Sequence, residues 1–321
     1  MTRATVVALA ALVVGCGGSG STGVGGGTGG SGGTGGAGGG SAGISADQAC
    51  TNYATAYCNK LNGCFPFATT AFYGDVATCI ARGKLICLPQ LALSTTGSTP
   101  SKWDACVPML STASCAAVRA GKAGCRFSGM LAAGSACGSG SQCAGGYCRL
   151  STNSCGVCAS RVANGNNCTT SDDCLDGKCL NAICVARRQA GAACATTTQC
   201  DDLLYCKNSV CTAVLTTAGA ACDPNDSDSC DYLSGVFCNN SNVCARIQFA
   251  GPGAACGVMA NDSYVECSSG ATCKTNGAIF GTCVAAAADG QACNPTNDLN
   301  CVDPAACESG SCRLYSPGSC K

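Results

Sequence analysis

The 321-residue chain contains no histidine, and this absence removes whole classes of chemistry. Without imidazole there is no ordinary proton-transfer group near neutral pH, no His-based catalytic triad and none of the commonest zinc ligand. Serine hydrolase and metalloprotease chemistry are close to excluded. Charge is also scarce. Charged residues make up 11% of the chain, 18 Lys+Arg against 18 Asp+Glu, so the formal net charge is +0. That balance offers no electrostatic footprint for nucleic acid or for an anionic membrane surface. Aromatics amount to 5%, and much of the 46% hydrophobic content is Ala and Cys. So few large apolar side chains cannot fill an extensive conventional core.

What the chain has instead is cysteine: 35 of them, about one residue in nine, the usage of a disulfide scaffold. Disulfides persist in oxidising compartments, because cytosolic thiol buffers reduce them, so the composition predicts an exported protein. One cysteine stands apart. Cys16 closes the run Leu12-Val13-Val14-Gly15-Cys16, and setting it aside leaves 34, an even number. Arg3 followed by the apolar stretch Ala4 to Val14 has the parts of a short secretory signal over residues 1–15. At about 11 residues the stretch is too short to span a bilayer as a helix. Its ending resembles the bacterial lipobox, in which a small residue precedes an acceptor Cys. That resemblance implies diacylation of Cys16, with acyl chains of the palmitate kind holding the protein on a membrane. An ordinary secreted protein with an incidental Cys16 is the alternative, but no small-x-small cleavage site lies at a better position. Gly17, where some lipoproteins carry an acidic residue, implies by the same resemblance an outer-membrane destination.

Residues 16–44 read as a tether. Positions 17–43 hold 17 Gly, with Ser and Thr filling most of the rest, so there is nothing to bury and backbone freedom is maximal. A coil of this composition reaches roughly 30 Å.

A different texture occupies residues 45–131. Ser45 with Gln48 three residues on is a capping-box pattern and predicts a helix from Ala46. Cys50, Tyr53, Ala54, Tyr57, Cys58 and Leu61 follow at helical spacing. A second helix is predicted from about Gly74 to Leu88, carrying Val76, Cys79, Ile80, Leu85 and Cys87. Two cysteines eight apart on a helix lie about 12 Å apart along its axis and cannot bridge each other. Two antiparallel helices could instead be stapled in nested fashion, Cys50 to Cys87 and Cys58 to Cys79. A third helix is expected from Thr99-Pro100, with Pro108 ending or kinking it. Trp103 on that helix reads as a core filler rather than a ligand platform. Cys64, Cys106, Cys115 and Cys125 complete the eight cysteines of this helical head.

From residue 132 to 321 the chain repeats itself six times. Each unit opens with Gly three residues before Cys: Gly134 before Cys137, Gly165 before Cys168, Gly191 before Cys194, Gly219 before Cys222, Gly253 before Cys256 and Gly290 before Cys293. The frames are read as Cys137, Cys143, Cys148 and Cys155; Cys168, Cys174, Cys179 and Cys184; Cys194, Cys200, Cys206 and Cys211; Cys222, Cys230, Cys238 and Cys244; Cys256, Cys267, Cys273 and Cys283; and Cys293, Cys301, Cys307 and Cys312. Cys158 and Cys320 are fifth cysteines of the first and last units, bridging each other or pairing locally. A unit of roughly 26 to 37 residues is too short to fold on apolar burial alone. Two crosslinks, each worth about 2–4 kcal/mol, compensate by restricting the unfolded chain. The opening Gly is expected in a turn at positive φ. Four cysteines allow three pairings, so connectivity stays open. The fold class expected is small and disulfide-rich, a Cys-stapled helical head followed by a tandem array of short β-hairpin and loop modules.

The frame Gly-x-x-Cys-x5-Cys, with Tyr147, Tyr205 or Phe237 before the third Cys, resembles the Dickkopf N-terminal cysteine-rich module and the related EB-type modules. Tandem copies behind a lipobox, a Gly-rich tether and a Cys-containing helical head are similar to predicted surface lipoproteins of myxobacteria. The resemblance implies a location on a bacterial outer membrane or cell surface and carries over no contact residues.

Little in the chain suggests a reaction. Cys155-Gly-Val-Cys158 has redox or zinc spacing but lacks a βαβ frame, so stapling between units is the expectation. Asp223-Pro-Asn225-Asp226-Ser-Asp228 clusters oxygen ligands without the spaced terminal Glu of an EF-hand loop, and reads as an Asx-rich turn or a weak calcium site. Asp172-Asp173 and Asp201-Asp202 read as solvated loop residues. The expectation is therefore a non-enzymatic surface lipoprotein without cofactor or metal. It would be anchored to the membrane by lipid and display loops to a protein or glycan partner, with no role for nucleic acid. An envelope spacer or a small-domain protease inhibitor are the alternatives.

Overall fold

The computed structural model describes residues 43–119, 121, 123–150, 155–175, 177–223, 229–275, 277–294, 300–314, 316 and 320. Cys16, the leader, nearly all of the tether and positions 224–228 of the Asp223 loop lie outside the described residues.

Among the described residues, the head holds six helices. Helix α1 (Ala46–Cys64) starts where the sequence predicts: the Ser45 hydroxyl accepts from the Gln48 amide at 3.1 Å, and Asp47 sits in the first turn. Helix α2 (Pro66–Tyr73) begins on a proline at its first position and ends at Gly74. Helix α3 (Val76–Leu91) is capped by Asp75, whose carboxylate accepts from the Thr78 amide at 2.7 Å. The second predicted helix therefore starts two residues later than read, because Gly74 terminates α2 instead of opening α3. Helices α1 and α3 cross closely at Gly83, where a Cβ would lie 3.1 Å from that of Ala54. Disulfides Cys50–Cys87 and Cys58–Cys79 staple this crossing in the nested order that helical spacing allows.

Helix α4 (Pro100–Asp104) is capped by Thr99 and stops at Ala105; Pro108 sits in the first turn of α5 (Val107–Thr112) and so starts a helix instead of kinking one. Helix α6 (Cys115–Arg119) is tied back by Cys64–Cys115, and Cys106–Cys125 closes the set. Trp103 is buried, edge-on to Tyr53 at 4.4 Å and beside Phe127 at 5.2 Å. Its indole N–H has no hydrogen-bond partner, which fits a residue used for volume.

The six modules share one architecture. The opening Gly takes φ between +79° and +91° in every module and is the third residue of a four-residue turn. The residue after it donates back across that turn, as Ala192 does to Gln189 at 3.1 Å. Positive φ with this bond is the type II pattern, and Gly251-Pro252-Gly253-Ala254 even carries Pro at the second position. A Cβ on any of the six glycines would meet nothing within 4 Å, so the backbone conformation and not crowding demands glycine. The same Gly donates to the carbonyl of the fourth frame cysteine, as in Gly191 to Cys211 at 2.9 Å, and the amide of Cys211 answers to Ala192 at 2.8 Å.

The third and fourth cysteines face each other across an antiparallel hairpin in all six modules, as Cys179 does Cys184 and Cys206 does Cys211. In the second, third and last modules four residues between them leave room for a two-residue turn, and both turn residues have positive φ: Asn181-Ala182, Asn208-Ser209 and Ser309-Gly310. The facing cysteines do not bond each other. Each reaches back to the segment before the hairpin, first to third and second to fourth, as in Cys194–Cys206 with Cys200–Cys211.

The first module corrects the frame read from sequence. Cys143 pairs with Cys158, so Cys158 is the fourth frame cysteine, and Cys155 is the additional one. Cys155 pairs with Cys320 of the last module, 165 residues away. The spacing reading took the nearer cysteine as fourth. The hairpin register sets Cys148 opposite Cys158 and leaves Cys155 outside the frame. Leu131 already bridges to Cys143 and so belongs to the first module, one residue earlier than the repeat reading puts it.

The array folds back on the head. Gln142 of the first module donates to the Ser94 carbonyl at 3.1 Å, and Gly97 donates to Ser141 at 2.8 Å. Phe67 on α2 packs with Tyr232, Phe237, Ile247 and Phe249 of the fourth module and the linker after it. Ser269 and Gly270 of the fifth module donate to the carbonyls of Thr70 and Ala71 at 3.0 and 2.7 Å. The last module is held by Arg82, which pairs with Asp289 and donates to the carbonyls of Val302 and Asp303. With Cys155–Cys320 closing first module to last, the array forms a closed collar bound to the head through its first, fourth, fifth and last modules.

Candidate functional site

The candidate site is the collar's outer surface, where the modules differ most. Its rigidity comes from the cysteine frame. In the first module the sulfurs of Cys137, Cys143 and Cys158 lie within 4.8 Å of one another, and the second, third and fifth modules repeat this grouping. A thiolate cluster of that size would suit a soft metal. Here every sulfur is bonded to another sulfur, and a disulfide is not a thiolate ligand. All 34 cysteines from Cys50 onward are paired, with Cα separations of 5.3 to 6.0 Å. Cys155 and Cys158 enter different disulfides and make no dithiol site.

Asp173 departs from the expectation of a solvated loop residue. The sequence reading left it solvated beside Asp172, yet it is 0% exposed. Its Oδ2 accepts from the amides of Thr169 and Thr170 at 2.7 and 3.1 Å, while Oδ1 accepts from the Tyr147 hydroxyl at 2.9 Å and Arg149 Nε at 2.8 Å. Burial alone would raise its pKa. These four donors outweigh that and hold the carboxyl well below the usual range. Burial and the Asp173 carboxylate push the Tyr147 hydroxyl up to about 12. Asp201 and Asp202 are likewise engaged, both paired with Arg187.

Asp173 points to a position that sequence reasoning missed. The residue before the second frame cysteine is polar in all six modules: Gln142, Asp173, Gln199, Ser229, Glu266 and Asn300. In four of them it reaches the preceding element. Gln142 bonds to the head, Asp173 to the first module, Glu266 accepts from Tyr232 of the fourth, and Asn300 donates to Thr272 of the fifth at 2.8 Å. The signal was legible as a polar residue at fixed distance from a cysteine. Its inter-module reach was not.

The hairpin tips are where the modules differ. Second and third modules end in short two-residue turns, with Leu180-Asn-Ala-Ile183 and Lys207-Asn-Ser-Val210 between the facing cysteines. The fifth carries a nine-residue hairpin segment that exposes Ile279 and Phe280 at 69% and 58%. Leu150 and Val157 of the first module's hairpin are exposed as well. Large exposed apolar side chains on a rigid tip are a recurrent feature of interaction surfaces.

Compared with known proteins, the chain matches no family profile, no curated protein and no solved structure. Among the described residues, no helix is long and apolar enough to cross a membrane.

Proposed function

We propose that this chain is a non-enzymatic surface protein, lipid-anchored through Cys16 to a bacterial outer membrane, whose collar of modules presents hairpin tips to a protein or glycan partner. The observation that carries the reading is the contrast within each module. One turn, one register and one disulfide pattern recur six times, while the tips change in length and chemistry and place Ile279 and Phe280 in solvent. A fixed scaffold with variable loops is how rigid folds carry recognition. Complete pairing of the other 34 cysteines supports a separate fate for Cys16. The resemblance to lipobox-bearing surface proteins supports the location. An extended spacer is less well served, since a collar closed by Cys155–Cys320 and bound to the head spans little length for its number of modules.

Two measurements test this. The intact mass of membrane-extracted protein should carry acyl chains on Cys16 and no free thiol. Immobilised residues 44–321 should retain a defined component from surface polysaccharide or envelope protein fractions, and I279S/F280S should lose most of that retention. An unacylated Cys16, or equal retention by the double variant, would sink the corresponding half of the proposal.

A further inference from the structure

We propose that Cys155–Cys320 is a reducible latch on the collar: a small dithiol opens it and loosens the last module from the head while every module keeps its own crosslinks. The proposal does not depend on what the hairpin tips bind.

Connectivity separates this disulfide from the rest. The twelve frame disulfides close segments of 10 to 17 residues inside single modules, and the four others stay within the head. Cys155–Cys320 alone joins two modules, across a separation of 165 residues. Removing it leaves Cys137–Cys148 and Cys143–Cys158 in the first module and Cys293–Cys307 and Cys301–Cys312 in the last. No module loses a frame bond.

Access separates it as well. Exchange requires a thiolate to approach a disulfide sulfur, so shielded bonds react slowly. Every frame disulfide has at least one buried cysteine. Cys155 and Cys320 are both partly exposed, which sets them apart from every frame disulfide; in the head Cys64–Cys115 is more open still, with Cys115 exposed, and serves as the control.

Among the described residues, the last module is also held to the head by polar contacts. Arg82 pairs with Asp289 at 2.6 Å and donates to the Asp303 and Val302 carbonyls, and the Tyr73 hydroxyl donates to Asp303 Oδ2 at 3.0 Å. Contacts of this kind hold while a covalent tether keeps the partners at high effective concentration, and weaken when the tether is cut. The reaction balances simply. One thiolate of the dithiol attacks a sulfur of the pair, breaking the S–S bond and forming a mixed disulfide. Its second thiol then displaces the protein sulfur and leaves as a cyclic disulfide. Two electrons and two protons pass to the protein, which gains thiols at Cys155 and Cys320.

The full chain is titrated with dithiothreitol under native conditions, new thiols are trapped with N-ethylmaleimide, and labelled peptides are mapped. Cys155 and Cys320 should be labelled at least ~10-fold faster than any frame cysteine. At that dose amide exchange over residues 300–313 should rise by at least ~10-fold, with the second to fifth modules unchanged. The C155S/C320S variant should show the same exchange pattern without reductant, and C64S/C115S should not. Frame cysteines labelled at the same rate as Cys155 and Cys320 would overturn the proposal. So would unchanged exchange in the last module after selective labelling, or equal loosening by C64S/C115S. If C155S/C320S does not accumulate, selective reduction of the native chain decides alone.

Discussion

In the head, four disulfides are set among Tyr53, Leu61, Phe65, Trp103 and Leu110, all buried. In the second module the buried cluster is Cys168, Cys174 and Cys184, with Val162 and Cys179 laid against it. The first arrangement is an ordinary apolar core with staples. The second is a core made of the staples themselves. A module of under forty residues has too little apolar surface to offset chain entropy, and disulfides act instead on the unfolded state. The consequence reaches function: a frame that draws almost nothing from its hairpin tip leaves that tip open to change.

Substitutions can sharpen this contrast, and the largest effect is expected in the head. Trp103→Ala should destabilise the helical unit by about 3–5 kcal/mol through the cavity left between Tyr53 and Phe127, with amide protection in the modules unchanged. Loss of protection spreading evenly over head and array would show that the two are not energetically separate. Removing one frame crosslink, C174A/C184A, should cost the second module about 2–4 kcal/mol and leave the helices intact by circular dichroism.

Asp173→Asn should weaken the joint between the first two modules by about 1–3 kcal/mol, since a neutral amide serves Arg149 and the two amides poorly. Its pH dependence has a defined sign. The folded-state pKa is depressed, so the contribution is present above the ordinary carboxylate value and is lost as pH falls through the folded value. Asp303, at the joint between head and last module, runs the other way. Burial raises its pKa against the lowering effects of Tyr73 and Arg82, so its contribution is fullest below the ordinary value and fades as pH rises through the raised one. Hydrogen exchange followed from pH 7 to pH 3 should show the first joint beginning to loosen once pH falls below the ordinary carboxylate value, and the second not loosening. Parallel loosening at both would contradict the assignment.

Smaller effects test the turns. Gly191→Ala introduces no clash but forces an L-residue to φ +83°, and should lower the third module's stability by about 1–2 kcal/mol. Ala182→Gly relieves the converse mismatch at φ +62° in the second module's hairpin, for a gain of about 0.5–1 kcal/mol in thermal unfolding.

Local chemistry was legible in the sequence. Ser45 announced α1, the spacing of Cys50 and Cys58 forbade a bridge between them, and six glycines announced six identical turns. Helix α2 was not legible: Pro66–Tyr73 is short, and its Thr pair and three aromatics carry weak helical preference, so packing on the fourth module decides it. The choice between Cys155 and Cys158 was not legible either, because strand register and not spacing selects the frame cysteine. Nor was the collar, since Tyr73 and Arg82 meet Asp303 and Asp289 only after some two hundred residues have folded back.

The central claim is the collar with its repeated frame, and the most direct test is disulfide mapping of the native, unreduced protein by peptide mass spectrometry. The account predicts a linked pair carrying Cys155 and Cys320, a separate pair carrying Cys143 and Cys158, and first-to-third with second-to-fourth linkage in the other five modules. A bond between Cys155 and Cys158, or between Cys158 and Cys320, would contradict it.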